Sequence, residues 1–178
     1  MMRFQRLTSA DDALFEEAFA LYGVGFPEHE RRDGEKQRAL MANPLYHFDA
    51  IMDGGTFAGI MLYWLFPRYA YIEHFAIHPD RRGKSLGSGS LRLFCRRHEP
   101  VILEIDPPVD AVSVRRESFY KRLGFAANSF DHAHPAYRRS FPPHRLVVMS
   151  HPRSLTEGEY GRFAGDLAAV VMADAESA

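Results

Sequence analysis

The sequence predicts an α/β fold, a mixed and mostly antiparallel sheet flanked by helices, on three observations. Residues 46–77 hold three apolar runs separated only by Asp53-Gly54-Gly55 and Pro67-Arg68, and connections this short join antiparallel neighbours. A stretch of helical spacing then precedes a fourth run, residues 101–105, so the last two strands run parallel through a right-handed crossover. Finally, 178 residues at 46% apolar and 25% charged content suffice for one domain with a real core. That domain spans 1–178, with a terminal helix at about 155–172.

Residues 2–7 alternate enough for a first strand. Thr8 or Ser9 caps a helix carrying Ala13, Leu14, Ala18, Phe19 and Leu21, with Asp11 and Asp12 in its first turn and Gly23 and Gly25 at its end. After Phe26-Pro27, the run EHERRDGEKQR reads as a second helix to about Met41, and such a mixed-charge run is ordinarily a solvated face. Residues 46–52 and 56–66 form a hairpin across Asp53-Gly54-Gly55. Tyr71, Ile72, Phe75, Ala76 and Ile77 make the next strand, interrupted by Glu73 and His74. Two-residue alternation places those two on opposite faces, with His74 against a helix.

His78-Pro79-Asp80 stops that strand, since proline brings no N–H to a ladder. A basic, glycine-studded turn follows: Arg81, Arg82, Gly83, Lys84, Ser85, Leu86, Gly87, Ser88, Gly89. The helix that opens there reaches about His98 and breaks at Pro100. Beyond the strand at 101–105, Asp106-Pro107-Pro108 leads to a helix at about 112–123, closed by Gly124 as the residue after its end. Residues 125–130 and 146–149 read as strands, with His132, His134 and His144 in polar loops. Residues 157–172 form an amphipathic helix on Tyr160, Phe163, Leu167, Val170 and Val171, and 173–178 a frayed end.

The strand–glycine turn–helix unit suits a phosphate. A helix start leaves N–H groups unpaired and partly positive, glycines admit close approach, and Arg81, Arg82 and Lys84 add charge. A Walker A loop is excluded, because His78 stands where its first glycine belongs, and no G-x-G-x-x-G is present. Arg82-Gly83-Lys84-Ser85-Leu86-Gly87 instead resembles the R/Q-x-x-G-x-G/A loop of the GCN5-related N-acetyltransferases, the GNAT superfamily, with Ser85 in place of a glycine. Phe119-Tyr120-Lys121-Arg122-Leu123-Gly124-Phe125 resembles the F-Y-x-x-x-G-F helix end of the same family. The resemblance covers roughly residues 3–150, most specifically 71–125.

That resemblance implies the GNAT fold, in which two splayed parallel strands admit coenzyme A, with acetyl-CoA as co-substrate. It implies that Arg82, Gly83, Lys84, Ser85, Leu86, Gly87, Ser88 and Gly89 hold the pyrophosphate. Phe75 and Ile77 would supply main-chain contacts to the pantetheine. Ser113, where the family has asparagine, would cap its helix and touch the cofactor. It makes Glu73 a general base, or else the structural partner of an arginine, with Glu104 as backup base or as a site for a cationic acceptor. Tyr120 becomes the acid for the leaving thiolate, or a packing residue. Arg115 and Arg116 add charge near the coenzyme or reach the acceptor. Phe26 and Glu28 would touch the acceptor. Burial in an apolar strand is expected to raise the pKa of Glu73.

The implied reaction is direct acetyl transfer to a primary amine, most simply a small molecule, with a peptide or protein amine as the other class. A homodimer is compatible with the family. The rival reading is a non-catalytic coenzyme A-binding sensor whose active site has decayed, suggested by Ser85, Ser113 and Arg116. A net charge of −1 gives no footprint for nucleic acid. The single Cys95 excludes an internal disulfide, and its apolar helical setting argues against a nucleophile. No leader pattern and no run of membrane-spanning length is seen, so the expected location is cytoplasmic, away from membranes. No histidine stands at ligand spacing with cysteines or acids, so no metal is expected.

Overall fold

A computed structural model describes residues 1–175. In chain order the elements are β1 (Met2–Leu7), α1 (Phe15–Gly25), α2 (Gly34–Leu40), β2 (Tyr46–Asp53), β3 (Thr56–Phe66), β4 (Tyr69–Ile77), α3 (Leu86–Arg97) and β5 (Val101–Ile105). There follow α4 (Ala111–Lys121), β6 (Ala126–Ala127), β7 (Ala133–His134), β8 (His144–Arg145), β9 (Val147–His151) and α5 (Glu157–Asp166), which runs on into a π-helical turn, Leu167–Val171. Among the described residues, seven strands form one sheet in the order β1-β2-β3-β4-β5-β9-β6, and β7 pairs with β8 separately. The predicted meander and the parallel β4–β5 pair are both present. No helix among the described residues is long and apolar enough to cross a membrane.

Alternation along the strands sends side chains to two hydrophobic layers. Phe48, Ile60, Leu62, Trp64 and Tyr71 meet Phe15 and Tyr22 of α1, Phe163 of α5 and Leu167 of the π turn. Met61, Ile72 and Leu103 meet Leu91, Phe94 and Cys95 of α3 on the other face. Burying each such large side chain contributes roughly 1.5–3 kcal/mol. The β2–β3 hairpin turns through Gly54 and Gly55, at φ +58° and +89°, the positive values that its two-residue turn requires.

Several expected boundaries move, each for a local reason. α1 starts at Phe15 rather than after Ser9, because Asp12 Oδ2 accepts the N–H groups of Thr8 and Ser9 and fixes a turn there. The second helix is divided: Glu28–Glu30 form a single 3-10 turn, and Asp33 caps a new helix by accepting from the Lys36 N–H at 2.9 Å. The strand expected at 125–130 shrinks to Ala126–Ala127. Just beyond it the Asn128 amide donates to Val148 O and Ser150 Oγ, each at 3.0 Å, so a side chain takes over what a ladder would supply. The expected fraying at 173–178 is corrected as far as Asp174, whose carboxylate accepts from Arg32; 176–178 lie outside the described residues.

Two irregularities shape β4. Leu62 pairs with His74 but Tyr63 with Ile72, so Glu73 is an extra residue, a bulge. Its pairing with β5 also covers only Ala70–Val101, Tyr71–Ile102 and Ile72–Leu103, after which the strands diverge. Bulge and divergence fall at the same level of the sheet.

Candidate active site

The divergence opens a cavity of about 520 Å³. Of the residues singled out from sequence, Phe26, Glu73, Phe75, Ile77, Arg82, Glu104 and Tyr120 stand on its wall. Glu28 does not; its exposed carboxylate pairs with Arg138. Ser113 does not either. Its hydroxyl is spent within α4, where Asp110, rather than Ser113, is the N-cap and Ser113 the third residue of a capping box. Gly83 to Gly89 lie beside the cavity, around the start of α3, rather than on its wall.

That turn has the backbone its sequence asks for. Gly83 sits at φ +78° and Ser85 at φ +56°, a left-handed residue immediately before α3. The Arg82 guanidinium donates to Ile77 O at 3.3 Å and remains at the cavity edge. Arg81 turns away and pairs with Asp53 at 3.2 Å, a correction to its place among the phosphate cations. Lys84 is exposed. A side chain at Gly87 would meet Ile77, Phe75 and the Phe119 ring at 3.5–3.8 Å, so this helix start packs directly on β4 and α4. Serine in a left-handed well costs about 1 kcal/mol relative to glycine. Ser85→Gly is therefore expected to raise stability by about that amount, read as a higher urea midpoint at unchanged slope.

Glu73 is set differently from the sequence expectation. Its side chain is 0% exposed and Arg32 is 2% exposed, with Nη1 and Oε1 2.5 Å apart. The same oxygen accepts from Tyr137 Oη at 2.8 Å, and Oε2 accepts from Trp64 Nε1 at 2.8 Å. Burial alone would raise the pKa. The Arg32 guanidinium, the His74 ring and these donors outweigh it and bring the carboxyl down to about 2. The expected upward shift is thus corrected, and of the two roles read from sequence the geometry matches the arginine partner. Arg32 also donates to Asp174 and to Val171 O, which ties the end of the C-terminal helix to the bulge.

The bulge overturns a second expectation. With one residue added, Glu73 and His74 fall on the same face, and His74 packs against Tyr22, Phe26 and Tyr137. Its Nε2 lies 2.7 Å from Glu30 O. A carbonyl only accepts, so Nε2 carries the hydrogen and Nδ1 the lone pair. Burial pulls the His74 pKa down to about 4, so the ring is neutral at physiological pH.

On the facing strand the Glu104 side chain is 5% exposed and accepts from Tyr71 Oη on one oxygen and His132 Nε2 on the other. His132 Nδ1 continues to Tyr160 Oη at 3.0 Å. Burial raises the Glu104 pKa, but His134 and the hydrogen bonds from His132 and Tyr71 bring it below the usual carboxylate value. Tyr120 packs edge-on between Phe119 and Phe125, and burial pushes its phenol up to about 12. Arg116 pairs with Asp106 at 2.6 Å, both on the wall. His29, Glu30 and His144 complete that side of the cavity. Cys95 is buried, and burial pushes its thiol up to about 12, so it is inert.

Sequence reasoning missed Arg32, Trp64, Tyr137 and His132. One signal for Arg32 was present: a glutamate in an apolar strand needs a counter-ion, and Arg31-Arg32 was the nearest unassigned basic pair before it. Nothing local marks the other three, which arrive from loops and a neighbouring strand.

The family model for the acetyltransferase (GNAT) family matches residues 12–125, and the chain belongs to that family. Comparison with curated proteins finds no match. Among solved structures, a protein of Bacteroides thetaiotaomicron assigned to the GNAT-family acetyltransferases superposes at a TM-score of 0.90, with 29% identity over 96% of this chain and 98% of its own. The ribosomal-protein-S18-alanine N-acetyltransferase of Escherichia coli follows at 0.59, 17% identity, and 88% and 96% coverage. A Bacillus subtilis acetyltransferase in complex with CoA gives 0.55, 13% identity, and 84% and 97%. The seven-stranded mixed sheet with one parallel pair is the GNAT fold.

Proposed function

We propose that this protein transfers an acetyl group from acetyl-CoA to a primary amine by direct attack within a ternary complex. The observation that carries the reading is the break in β4–β5 pairing beyond Ile72 and Leu103, with Arg82, Glu104 and Tyr120 on the walls of the gap. The turn from Arg82 to Gly89 offers charge and its inner amides to the pyrophosphate, while the N–H groups of Arg82 and Gly89 themselves bond Pro79 O and Ser85 O. The unpaired edges of Phe75 and Ile77 offer backbone groups to the pantetheine arm. Phe26 and Glu104 line the acceptor side.

An ammonium must lose its proton before its nitrogen can attack, since an alkyl amine has a pKa of about 10.4. Glu104 attracts the cation and water takes the proton, since Glu104 is itself held below the usual carboxylate value with both oxygens already accepting hydrogen bonds. Glu73 holds Tyr137 and the bulge in place rather than taking the proton, because a carboxyl at about 2 is a poor base. The nitrogen then adds to the thioester carbonyl. The C–S bond breaks, Tyr120 donates its proton to the departing sulfur and regains one from the nitrogen as the amide forms, so amide, free thiol and neutral phenol remain. Holding both reactants in one cleft supplies much of the acceleration.

The departures at Ser85 and Ser113 do not favour the sensor reading. Ser85 adopts the left-handed conformation regardless, and Ser113 is used in the cap. The test is release of free thiol from acetyl-CoA against a panel of diamines, amino acids and short peptides. Amine-dependent release is expected. Coenzyme binding without turnover on any amine would leave the sensor standing.

A further inference from the structure

His29 and Glu30 precede α2, and His144 lies far along the chain, yet all three meet on the acceptor-side wall of the cleft. His29 Nε2 is 3.5 Å from Glu30 Oε1, and His144 Nδ1 is 4.0 Å from the same oxygen. One ligand-type atom from each lies within 4.8 Å of the others. We propose that these three side chains bind one divalent transition-metal ion of the zinc class.

The donor set, two imidazoles and one carboxylate, suits zinc. Tetrahedral bonds of about 2.0–2.2 Å place ligand atoms about 3.3–3.6 Å apart, so the two Glu30 pairs need only small side-chain adjustment. The orientation of His144 is the second observation. Its Nε2 faces Asp106 Oδ1 at 3.3 Å, an orientation in which the neutral ring carries its hydrogen on Nε2 and turns the Nδ1 lone pair toward Glu30. Two acceptors then face each other across a gap that a cation fills. A carboxylate behind a ligating imidazole is the usual way of fixing its tautomer. His29 is steadied by the Phe141 ring, at 5.7 Å between centroids.

Three protein ligands leave a fourth position open, and because all three line the cleft that position faces into it. The ion therefore occupies the acceptor half. Zinc is expected to inhibit in a way relieved by excess amine but not by acetyl-CoA. This consequence rests on the acetyl-transfer reading; the binding itself does not.

The test is calorimetric titration of the metal-free protein with zinc chloride. One equivalent is expected to bind. His29→Ala and His144→Ala should each abolish saturable binding, and Asp106→Asn should weaken it about 10- to 100-fold. Magnesium should give no saturable heat, since it prefers oxygen ligands. Cobalt(II) added to the unaltered protein should give the visible absorption of a tetrahedral site, a readout that needs no variant to fold. Absence of saturable zinc binding, or zinc binding unchanged by His144→Ala, overturns the proposal. Because binding is read without turnover, that failure leaves the acetyl-transfer reading untouched.

Discussion

Replacing Tyr120 with phenylalanine is expected to lower the rate of acetyl transfer about 100-fold, the low end of what a positioned proton donor contributes. Burial pushes the phenol to about 12, with Arg116 pulling slightly the other way, so the hydroxyl is fully protonated at any physiological pH. Such a group does not need to surrender its proton completely. A hydrogen bond that strengthens as charge builds on sulfur stabilises the transition state more than the ground state. Two features separate this role from packing. The ring stays between Phe119 and Phe125 in the variant, so thermal stability and coenzyme affinity should hold while kcat falls. The loss should also be the same for every amine, because thiolate departure does not involve the acceptor's side chain. The measurements are thiol release at saturating substrates and calorimetry with coenzyme A. A variant within about twofold of the parent would reduce Tyr120 to a packing residue.

Much of the frame was legible because it depends on short-range rules. The hairpin follows from Asp53-Gly54-Gly55, and the parallel pair follows from a helix inserted between strands. Ser85, read as standing in place of a glycine, is left-handed at φ +56°. The residues on the cavity wall named in advance, such as Phe75, Glu104 and Tyr120, came from the family resemblance, which fixes positions on strands and helices. What failed was where a period breaks. One bulge residue put Glu73 and His74 on the same face and made alternation a false guide. The charge run at 28–38 was not all solvated either, because Arg32 is pulled into the core by a carboxylate far from it in sequence. The His29–Glu30–His144 cluster has no full sequence spacing to detect, since only His29 and Glu30 are chain neighbours and His144 comes from β8, far along the chain.

Arg32→Ala is expected to destabilise the protein by about 3–5 kcal/mol, because it leaves a buried carboxylate without its counter-charge. The loss is not confined to one pair. The guanidinium reaches Glu73, Asp174 and Val171 O. Removing it detaches the end of the C-terminal helix from β4 as well. Acid titration gives a signature that a simple packing defect lacks. In the parent, Glu73 titrates at about 2 against an ordinary value of 4.5. Its stabilisation is therefore fully present above pH 4.5 and is lost as pH falls toward 2. Without Arg32, burial dominates and the folded pKa moves above its unfolded value, so the variant gains relative stability on acidification. The gap between parent and variant, measured by urea unfolding, should be widest near neutral pH and close below about pH 4.5. The double replacement Arg32→Met with Glu73→Leu should recover only the part due to the unpaired charge, since an apolar pair removes both charges together but leaves Trp64 Nε1 and Tyr137 Oη without their acceptor. A parent–variant gap that stays constant with pH would mean that Glu73 is not held as an anion by Arg32. The bulge would then need another explanation for burying a carboxylate beside Trp64.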